Sequence, residues 1–243
     1  MAGGGDVALP QVAVLGAMRC GTNLTKQMLE THWEVSASFS PFGWKHAGLP
    51  VLSPGSEITY PDMPIIYLVK NPYAFVLSLY RYRMLALTKG DRVSVEGADK
   101  LDDFLRQRLV IFDSQLPHSP RMRFSNPMQY WNYIYWNLET IERSRFRIRG
   151  LNYEVLINRP ASLLVVEEIA DLRRRKASIQ LPRGHMGRLT ETNIESEKRP
   201  ETAFDTSYYF ESRYLRDFTA EQLHVISSEV DPWLMERRGY RTI

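Results

Sequence analysis

Two glycines and an arginine in a short loop are the first residues whose types and spacing could bind an anion. Gly16 and Gly21 are separated by four residues, Arg19 lies between them, and Thr22 and Asn23 follow. Glycines at this spacing let a loop curl so that several backbone N–H groups face one anion. A helix that begins after Gly21 would add the partial positive charge of its N-terminus. An ordinary strand–turn–helix connection with incidental glycines is the alternative interpretation.

The residue types in this loop differ from those of a nucleoside triphosphatase. Such a loop places Lys and then Ser or Thr after its second glycine, where the lysine neutralises the β- and γ-phosphates and the hydroxyl binds Mg²⁺. This chain has Thr22 and Asn23 there, and its cation is Arg19. Hydroxyl and amide donors with one internal cation favour a smaller anion held without a metal. A P-loop kinase or NTPase with a degenerate loop is the alternative function.

A second pair of polar residues has the spacing expected for another phosphate contact. Lys70 ends an apolar segment, and Ser78 lies eight residues later, near the beginning of a predicted helix. A lysine at a strand end and a helix-borne serine could together hold a second phosphate of the same ligand. The alternative is a surface lysine and a buried small residue.

Two apolar segments must position these residues. Residues 12–15 and 65–70 are apolar and rich in β-branched side chains, which predicts buried strands. A helix is predicted after each strand, over 22–33 and 72–87, and Asn71 followed by proline is a typical helix start. In a parallel sheet both loops would lie at the carboxyl ends of the strands, which is where such sheets bind ligands.

The rest of the chain continues the alternation of strands and helices. The predicted elements are strands at 35–39 and 146–156, helices at 100–110, 128–143 and 162–175, and short helices within 208–238, one of them beginning at Thr219 with a capping box to Gln222. The segments between them, 40–61, 88–99, 113–127 and 176–207, are predicted loops or connectors. This order predicts an α/β fold of three layers, a central parallel sheet with helices on both faces.

Composition limits the class of protein. With 243 residues and 44% hydrophobic content, the chain can bury one sizeable core, which predicts a single domain over 1–243 with a flexible segment at 1–10. The net charge of +3 is too small to indicate nucleic-acid binding. Cys20 is the one cysteine, which excludes an intrachain disulfide and predicts a cytoplasmic location. The N-terminus lacks signal-peptide features, and the apolar runs are too short to span a membrane.

The two loops together resemble the family of PAPS-dependent sulfotransferases, where PAPS is 3′-phosphoadenosine 5′-phosphosulfate. The family's 5′-phosphosulfate loop has the form K/R-S-G-T-T/N, and RCGTN at 19–23 matches it with cysteine in place of serine. Its 3′-phosphate motif is R-[ND]-P with a serine eight residues after the arginine, and KNP at 70–72 with Ser78 matches it. NYEVLINRP at 152–160 and much of 207–240 are also similar to family segments, the latter to its bacterial C-terminal tail.

The resemblance implies a P-loop-like fold and transfer of a sulfuryl group from PAPS to a hydroxyl or amine, with release of adenosine 3′,5′-bisphosphate (PAP) and no metal. The acceptor would be a small molecule, a lipid or a glycan, which the sequence does not identify; nor does the sequence indicate the oligomeric state. The implied PAPS-binding residues are Arg19, Cys20, Gly21, Thr22, Asn23, Leu24, Lys70, Ser78 and Tyr153.

The resemblance also implies two catalytic residues. Arg19 matches the loop cation that stabilises the leaving oxygen. His46 stands where the glycan-modifying branch has a glutamate base, and Lys45 is a possible helper. A neutral imidazole near pH 7 suits proton abstraction. The alternative is a solvated loop histidine.

Several positions depart from the family pattern. Lys70 keeps the charge of the usual arginine but loses its bidentate fork, so the 3′-phosphate would be held more weakly or by a further donor. Arg183 or Arg188 in a late basic loop could be that donor. Leu24 replaces a tryptophan that often stacks on adenine, while Tyr153 matches a tyrosine near the adenine and is otherwise a core tyrosine. A non-catalytic module that binds an adenosine bisphosphate or a sulfated ligand is a further alternative.

Overall fold

A four-stranded parallel sheet flanked by helices lies at the centre of the computed structural model, which describes residues 8–49, 61–116, 118–142, 147–182 and 206–243. The strands in chain order are β1 (Gln11–Gly16), β2 (Ser36–Ser38), β3 (Ile65–Val69), β4 (Val95–Glu96), β5 (Leu109–Ile111), β6 (Met122–Phe124) and β7 (Ile148–Asn152). The α-helices are α1 (Thr22–His32), α2 (Pro72–Lys89), α3 (Leu101–Arg106), α4 (Pro127–Glu142), α5 (Tyr153–Asn158), α6 (Ser207–Phe210), α7 (Ala220–Glu229) and α8 (Pro232–Arg237), with 3-10 helices at Pro160–Glu168 and Arg213–Asp217. The α/β class and the parallel sheet predicted from the sequence are confirmed.

The strand order of the parallel sheet is β2-β1-β3-β7. Gly16 at the end of β1 pairs with Leu68, and Val69 at the end of β3 pairs with Asn152 at the end of β7. The three carboxyl ends therefore lie at the same edge of the sheet. All five residues of β3 are buried, as expected for a strand covered on both faces.

Helices α1 and α2 begin and end near the predicted positions, and capping residues define both ends of α2. Asn71 caps α2, since its side chain accepts a hydrogen bond from the Tyr73 N–H at 3.1 Å, and proline occupies the first turn. Gly90 ends α2 in the left-handed conformation. The capping box between Thr219 and Gln222 at the start of α7 is also confirmed.

A second sheet, which is antiparallel, was not predicted. Its strand order is β4-β5-β6, and its strands fall in segments predicted as a connector, as part of a helix and as a loop. The predicted helix at 100–110 is wrong at its end, because α3 stops at Arg106 and residues 109–111 form β5. Strands of two or three residues are too short to show an alternating pattern.

Two predictions after residue 145 are also wrong. The strand predicted over 146–156 ends at Asn152, and a helix begins at Tyr153, whose buried partners Leu156 and Ile157 have helical spacing. The helix predicted over 162–175 is wrong in its bounds, because the helix present is a 3-10 helix at Pro160–Glu168 and ends before the predicted limit. Its buried residues, Leu163 and Val166, are three apart, which fits three residues per turn.

Helix α4 forms hydrogen bonds with the carboxyl end of β3. Tyr130, Trp131 and Tyr135 of this helix are fully buried, whereas Tyr133 and Trp136 are exposed. The Trp131 Nε1–H donates to the Lys70 carbonyl at 2.8 Å, and the Tyr135 hydroxyl donates to the Leu68 carbonyl at 2.9 Å. These bonds hold the end of β3 in place. None of the helices in the described ranges has the length and apolar character needed to cross a lipid bilayer.

Candidate anion-binding site

The predicted loop residues meet at the carboxyl edge of the sheet. Residues 17–21 follow β1, Lys70 follows β3, and Tyr153 follows β7, so the neighbouring strands bring them together. The Lys70 Nζ lies 4.8 Å from the centre of the Tyr153 ring and 3.4 Å from the Arg19 carbonyl oxygen. The prediction that the two loops lie side by side at this edge of the sheet is therefore confirmed.

The loop between β1 and α1 turns sharply at three residues with positive φ. Gly16 has φ 146°, Arg19 has φ 64° and Gly21 has φ 94°. Arg19 is not a glycine, so its left-handed backbone carries strain, which concentrates at functional sites. The guanidinium is on an exposed side chain and lies 5.1 Å from the centre of the Tyr82 ring, a cation–π contact.

Position 21 requires glycine for two reasons, its positive φ and the closeness of the Tyr153 ring. A Cβ at this position would lie 2.5 Å from the Tyr153 ring. We expect Gly21→Ala to lower the free energy of unfolding by about 2–4 kcal/mol, because backbone strain and displacement of the ring add. Chemical denaturation measures the change.

Gly43→Ala is the matched control for this prediction. Gly43 also has φ 94°, but nothing lies within 4 Å of its Cβ position. It should cost about 1–2 kcal/mol from backbone strain alone. Equal losses in the two variants would show that the Tyr153 contact contributes nothing.

The N-terminus of α1 presents donors to the same place. Its first backbone bond runs from the Thr25 N–H to the Gly21 carbonyl at 3.0 Å, so the N–H groups of residues 21–24 have no partner within the helix. No side chain of the described residues caps this end. An anion at this point would gain from the N–H groups and from the helix dipole.

Three of the predicted binding residues in and after the first loop are buried. Cys20, Thr22 and Leu24 are buried. The Cys20 thiol donates to the Ala17 carbonyl at 2.6 Å, and burial raises its pKa to about 12. Cys20 and Leu24 would therefore contact an anion through main-chain nitrogen, and the thiol is neither an anion nor a nucleophile near neutral pH.

Asn23 is positioned by a cation from the loop after β2. Its Oδ1 accepts a hydrogen bond from the Lys45 Nζ at 2.7 Å. The same Nζ lies 3.4 Å from the centre of the Phe39 ring. Lys45 therefore adds a second positive charge beside the N-terminus of α1.

Lys70 is a buried cation whose partners are neutral. Only 2% of the residue is exposed. Its Nζ donates to the Ser78 Oγ at 2.7 Å and, more weakly, to the Arg19 carbonyl and the Tyr209 hydroxyl, both at 3.4 Å. Among the described residues no carboxylate lies within ion-pairing distance of it. A charge in such surroundings is costly unless a counter-ion binds, so this position favours an anionic ligand.

Glu154 is a carboxylate that interacts electrostatically with Lys70 but has other hydrogen-bond partners. Glu154 accepts hydrogen bonds from the Asn71 N–H at 3.0 Å and from the Tyr240 hydroxyl at 2.8 Å. Burial raises its pKa above the ordinary value, although hydrogen bonds and the charge of Lys70 lower it in part. Glu154 therefore interacts with Lys70 through its charge but forms no ion pair with it.

Tyr209 completes the surroundings of Lys70 and was not predicted from the sequence. The Lys70 Nζ lies 4.4 Å from the centre of its ring, and the ring packs edge-on against Tyr153 with 5.1 Å between the ring centres. Burial raises the pKa of Tyr153 well above its usual value, so that phenol stays neutral. Tyr209 belongs to the sequence SYYF at 207–210. It is 139 residues from Lys70 in the chain, and nothing in the sequence predicted that the two side chains are in contact.

His46 is buried against the first loop and is not a solvated loop histidine. Its Nδ1–H donates to the Gly16 carbonyl at 2.7 Å, which leaves the lone pair of the neutral ring on Nε2. The Tyr130 hydroxyl donates a hydrogen bond to the His46 backbone carbonyl and accepts one from the Met18 N–H. Burial and the charge of Lys45 lower the pKa of His46 to about 3.

This low pKa predicts a pH-dependent stability. The unfolded chain protonates His46 near its ordinary pKa of 6.5, whereas the folded protein does so only near 3, so the folded state binds fewer protons in between. We expect His46 to reduce the free energy of unfolding by about 1 kcal/mol for each pH unit below about 6. Denaturant titrations of the wild type and His46→Asn between pH 4 and 8 test this, since asparagine can keep the bond to Gly16 without titrating.

The exposed His224 provides the control for that experiment. His224→Asn should leave the pH dependence as in the wild type, and His46→Asn should flatten it. A wild-type slope that survives in His46→Asn would mean that His46 does not have a lowered pKa.

Some predicted features lie outside the described residues. Arg183 and Arg188, expected to complete a second phosphate site, are among them, as are residues 1–7 of the predicted flexible segment. Within the described ranges, no group of three or more His, Cys, Asp or Glu side chains could hold a metal ion.

No family model and no curated protein matches this chain. Its function must therefore be inferred from the residues of the site.

Proposed function

We propose that this protein is a sulfotransferase that transfers a sulfuryl group from PAPS to a hydroxyl or amine of a small-molecule, lipid or glycan acceptor. The observation that carries the proposal is Lys70, a buried cation that forms no ion pair with the described residues. It lies beside the N-terminus of α1, where no side chain of the described residues forms a cap. Two anion-attracting features at one sheet edge suit a ligand with two anionic groups. The P-loop-like fold and the cytoplasmic location stay predictions.

The site residues divide between the two ends of such a ligand. The N–H groups of residues 20–24 hold the 5′-phosphosulfate, and Lys70 and Ser78 hold the 3′-phosphate. Tyr153 lies between these positions, because its ring contacts both Gly21 and the charge of Lys70. In the family that the sequence resembles, the matching tyrosine lies near the adenine.

The chemistry requires a stabilised leaving group and a base. PAPS supplies an activated sulfuryl group on a phosphate leaving group. Arg19 provides positive charge at the loop, where negative charge grows during transfer. The Nε2 lone pair of His46 accepts the proton of the acceptor. Its pKa of about 3 makes it a weak base in the free protein, but an anion beside Lys45 would offset part of the repulsion and raise this pKa.

The second candidate is a module that binds an adenosine bisphosphate or a sulfated ligand without turnover. The low pKa of His46 favours it, because a base works best when its pKa lies near the working pH. The third candidate is a kinase with a degenerate P-loop. The first loop does not favour it, because Thr22 and Asn23 occupy the positions of the usual lysine and serine or threonine.

One assay separates the three. The protein is incubated with PAPS and a panel of hydroxyl and amine acceptors in the presence of EDTA, and PAP release is followed. Acceptor-dependent PAP release supports the sulfotransferase. Tight PAP binding without turnover supports the binding module. In a parallel incubation with ATP and Mg²⁺ in place of PAPS and EDTA, metal-dependent phosphate release supports the kinase or NTPase.

A further inference from the structure

Tyr209 contacts Lys70 although the two residues are 139 positions apart in the sequence. Its hydroxyl and that of Ser78 both receive hydrogen bonds from the Lys70 Nζ. Because only 2% of Lys70 is exposed, an anion that reaches its Nζ must come into contact with the groups that surround it.

The segment that carries Tyr209 is held on α2 by its neighbour. The Tyr208 hydroxyl accepts from Arg81 at 2.7 Å and donates to Asp217 at 2.8 Å, and Arg81 also pairs with Asp217 at 3.0 Å. These three residues direct α6 so that Tyr209 faces Lys70 and Tyr208 faces α2. The two adjacent tyrosines therefore have different surroundings.

The hydroxyl of Tyr209 is a suitable donor to an anion. Its hydrogen bond from Lys70 is long, at 3.4 Å, so an anion oxygen could replace it at Lys70 with little loss. Burial alone would raise the pKa of Tyr209, but the charge of Lys70 and hydrogen bonding to Lys70 and Ser78 lower it below its ordinary value. A phenol of lower pKa donates a stronger hydrogen bond.

We propose that Tyr209 is a further binding residue of this site, and that its hydroxyl donates a hydrogen bond to the anionic group held by Lys70. This inference depends on the proposed function, since the anion is then the 3′-phosphate of PAPS or PAP. It assigns part of the recognition of the second phosphate to the C-terminal region of the chain.

The test compares two nucleotides and two matched variants by titration calorimetry. PAP carries the 3′-phosphate and 5′-AMP lacks it. Tyr209→Phe should bind PAP about tenfold more weakly than the wild type, the size expected for one charge-assisted hydrogen bond, and should bind 5′-AMP as the wild type does. Unchanged affinity for 5′-AMP also shows that the variant is folded.

Tyr208→Phe is the control, because it removes an adjacent hydroxyl while the Arg81–Asp217 pair still holds the segment. It should bind PAP within about threefold of the wild type. Equal losses in the two variants, or equal losses of PAP and 5′-AMP by Tyr209→Phe, would overturn the inference. Wild-type binding of PAP with no change in Tyr209→Phe overturns it while leaving the proposed function intact, whereas no wild-type binding of PAP overturns both.

Discussion

Replacing Arg19 with alanine should lower the rate of sulfuryl transfer by a factor of about 10²–10³ and weaken PAP binding by less than about tenfold. The guanidinium is exposed at the tip of the loop, in a strained left-handed conformation. Positive charge placed where charge develops acts mainly on the transition state, so the loss should appear in the rate. PAP release with saturating PAPS gives the rate, and calorimetry gives the affinity.

Two further variants sharpen this experiment. Arg19→Lys should recover part of the rate, since it keeps the charge but not the planar fork. Tyr82→Phe keeps the ring 5.1 Å from the guanidinium and should be close to the wild type. If Arg19→Ala binds PAP as poorly as it turns over PAPS, Arg19 acts in ground-state binding and its catalytic assignment is wrong.

Replacing Lys70 with methionine should have opposite effects on binding and stability. We expect PAP affinity to fall on the order of 100-fold, or about 3 kcal/mol, because the buried cation facing a phosphate is lost. The free energy of unfolding should stay equal or rise by about 1–2 kcal/mol, since methionine removes a buried charge that forms no ion pair with the described residues and fills a similar volume against two aromatic rings. Calorimetry and chemical denaturation measure the two quantities.

The control is Lys100→Met, a lysine substitution at an exposed position before α3. It should leave both PAP affinity and stability near the wild-type values. A strong loss of stability in Lys70→Met would contradict the interpretation of Lys70 as a ligand-binding cation, because it would show that the charge already has a stabilising partner in the ligand-free protein.

The sequence predicted the parts of the site that lie at the ends of buried strands. Continuous apolar segments identified β1 and β3, and glycine, asparagine and proline marked the turns that follow them. Parallel pairing then brought Arg19 and Lys70 together. Periodicity and turn chemistry are local signals, and here they sufficed for the two loops.

The parts that depend on distant contacts could not be predicted. Tyr209 contacts Lys70 only through the fold, and the burial of His46 depends on Gly16 and on Tyr130 of a distant helix. The lowered pKa of His46 follows from that burial, which its residue type and its position in the sequence did not indicate. The strands of the antiparallel sheet are too short to produce a pattern.

The central claim is that the loop after β1 and the Lys70 pocket bind one ligand with two phosphate groups. Isothermal calorimetry of the wild-type protein with PAP in EDTA tests this most directly. We predict heat of binding, a Kd on the order of micromolar and clearly weaker binding of 5′-AMP. Folded protein that gives no heat with either PAP or PAPS would contradict the claim.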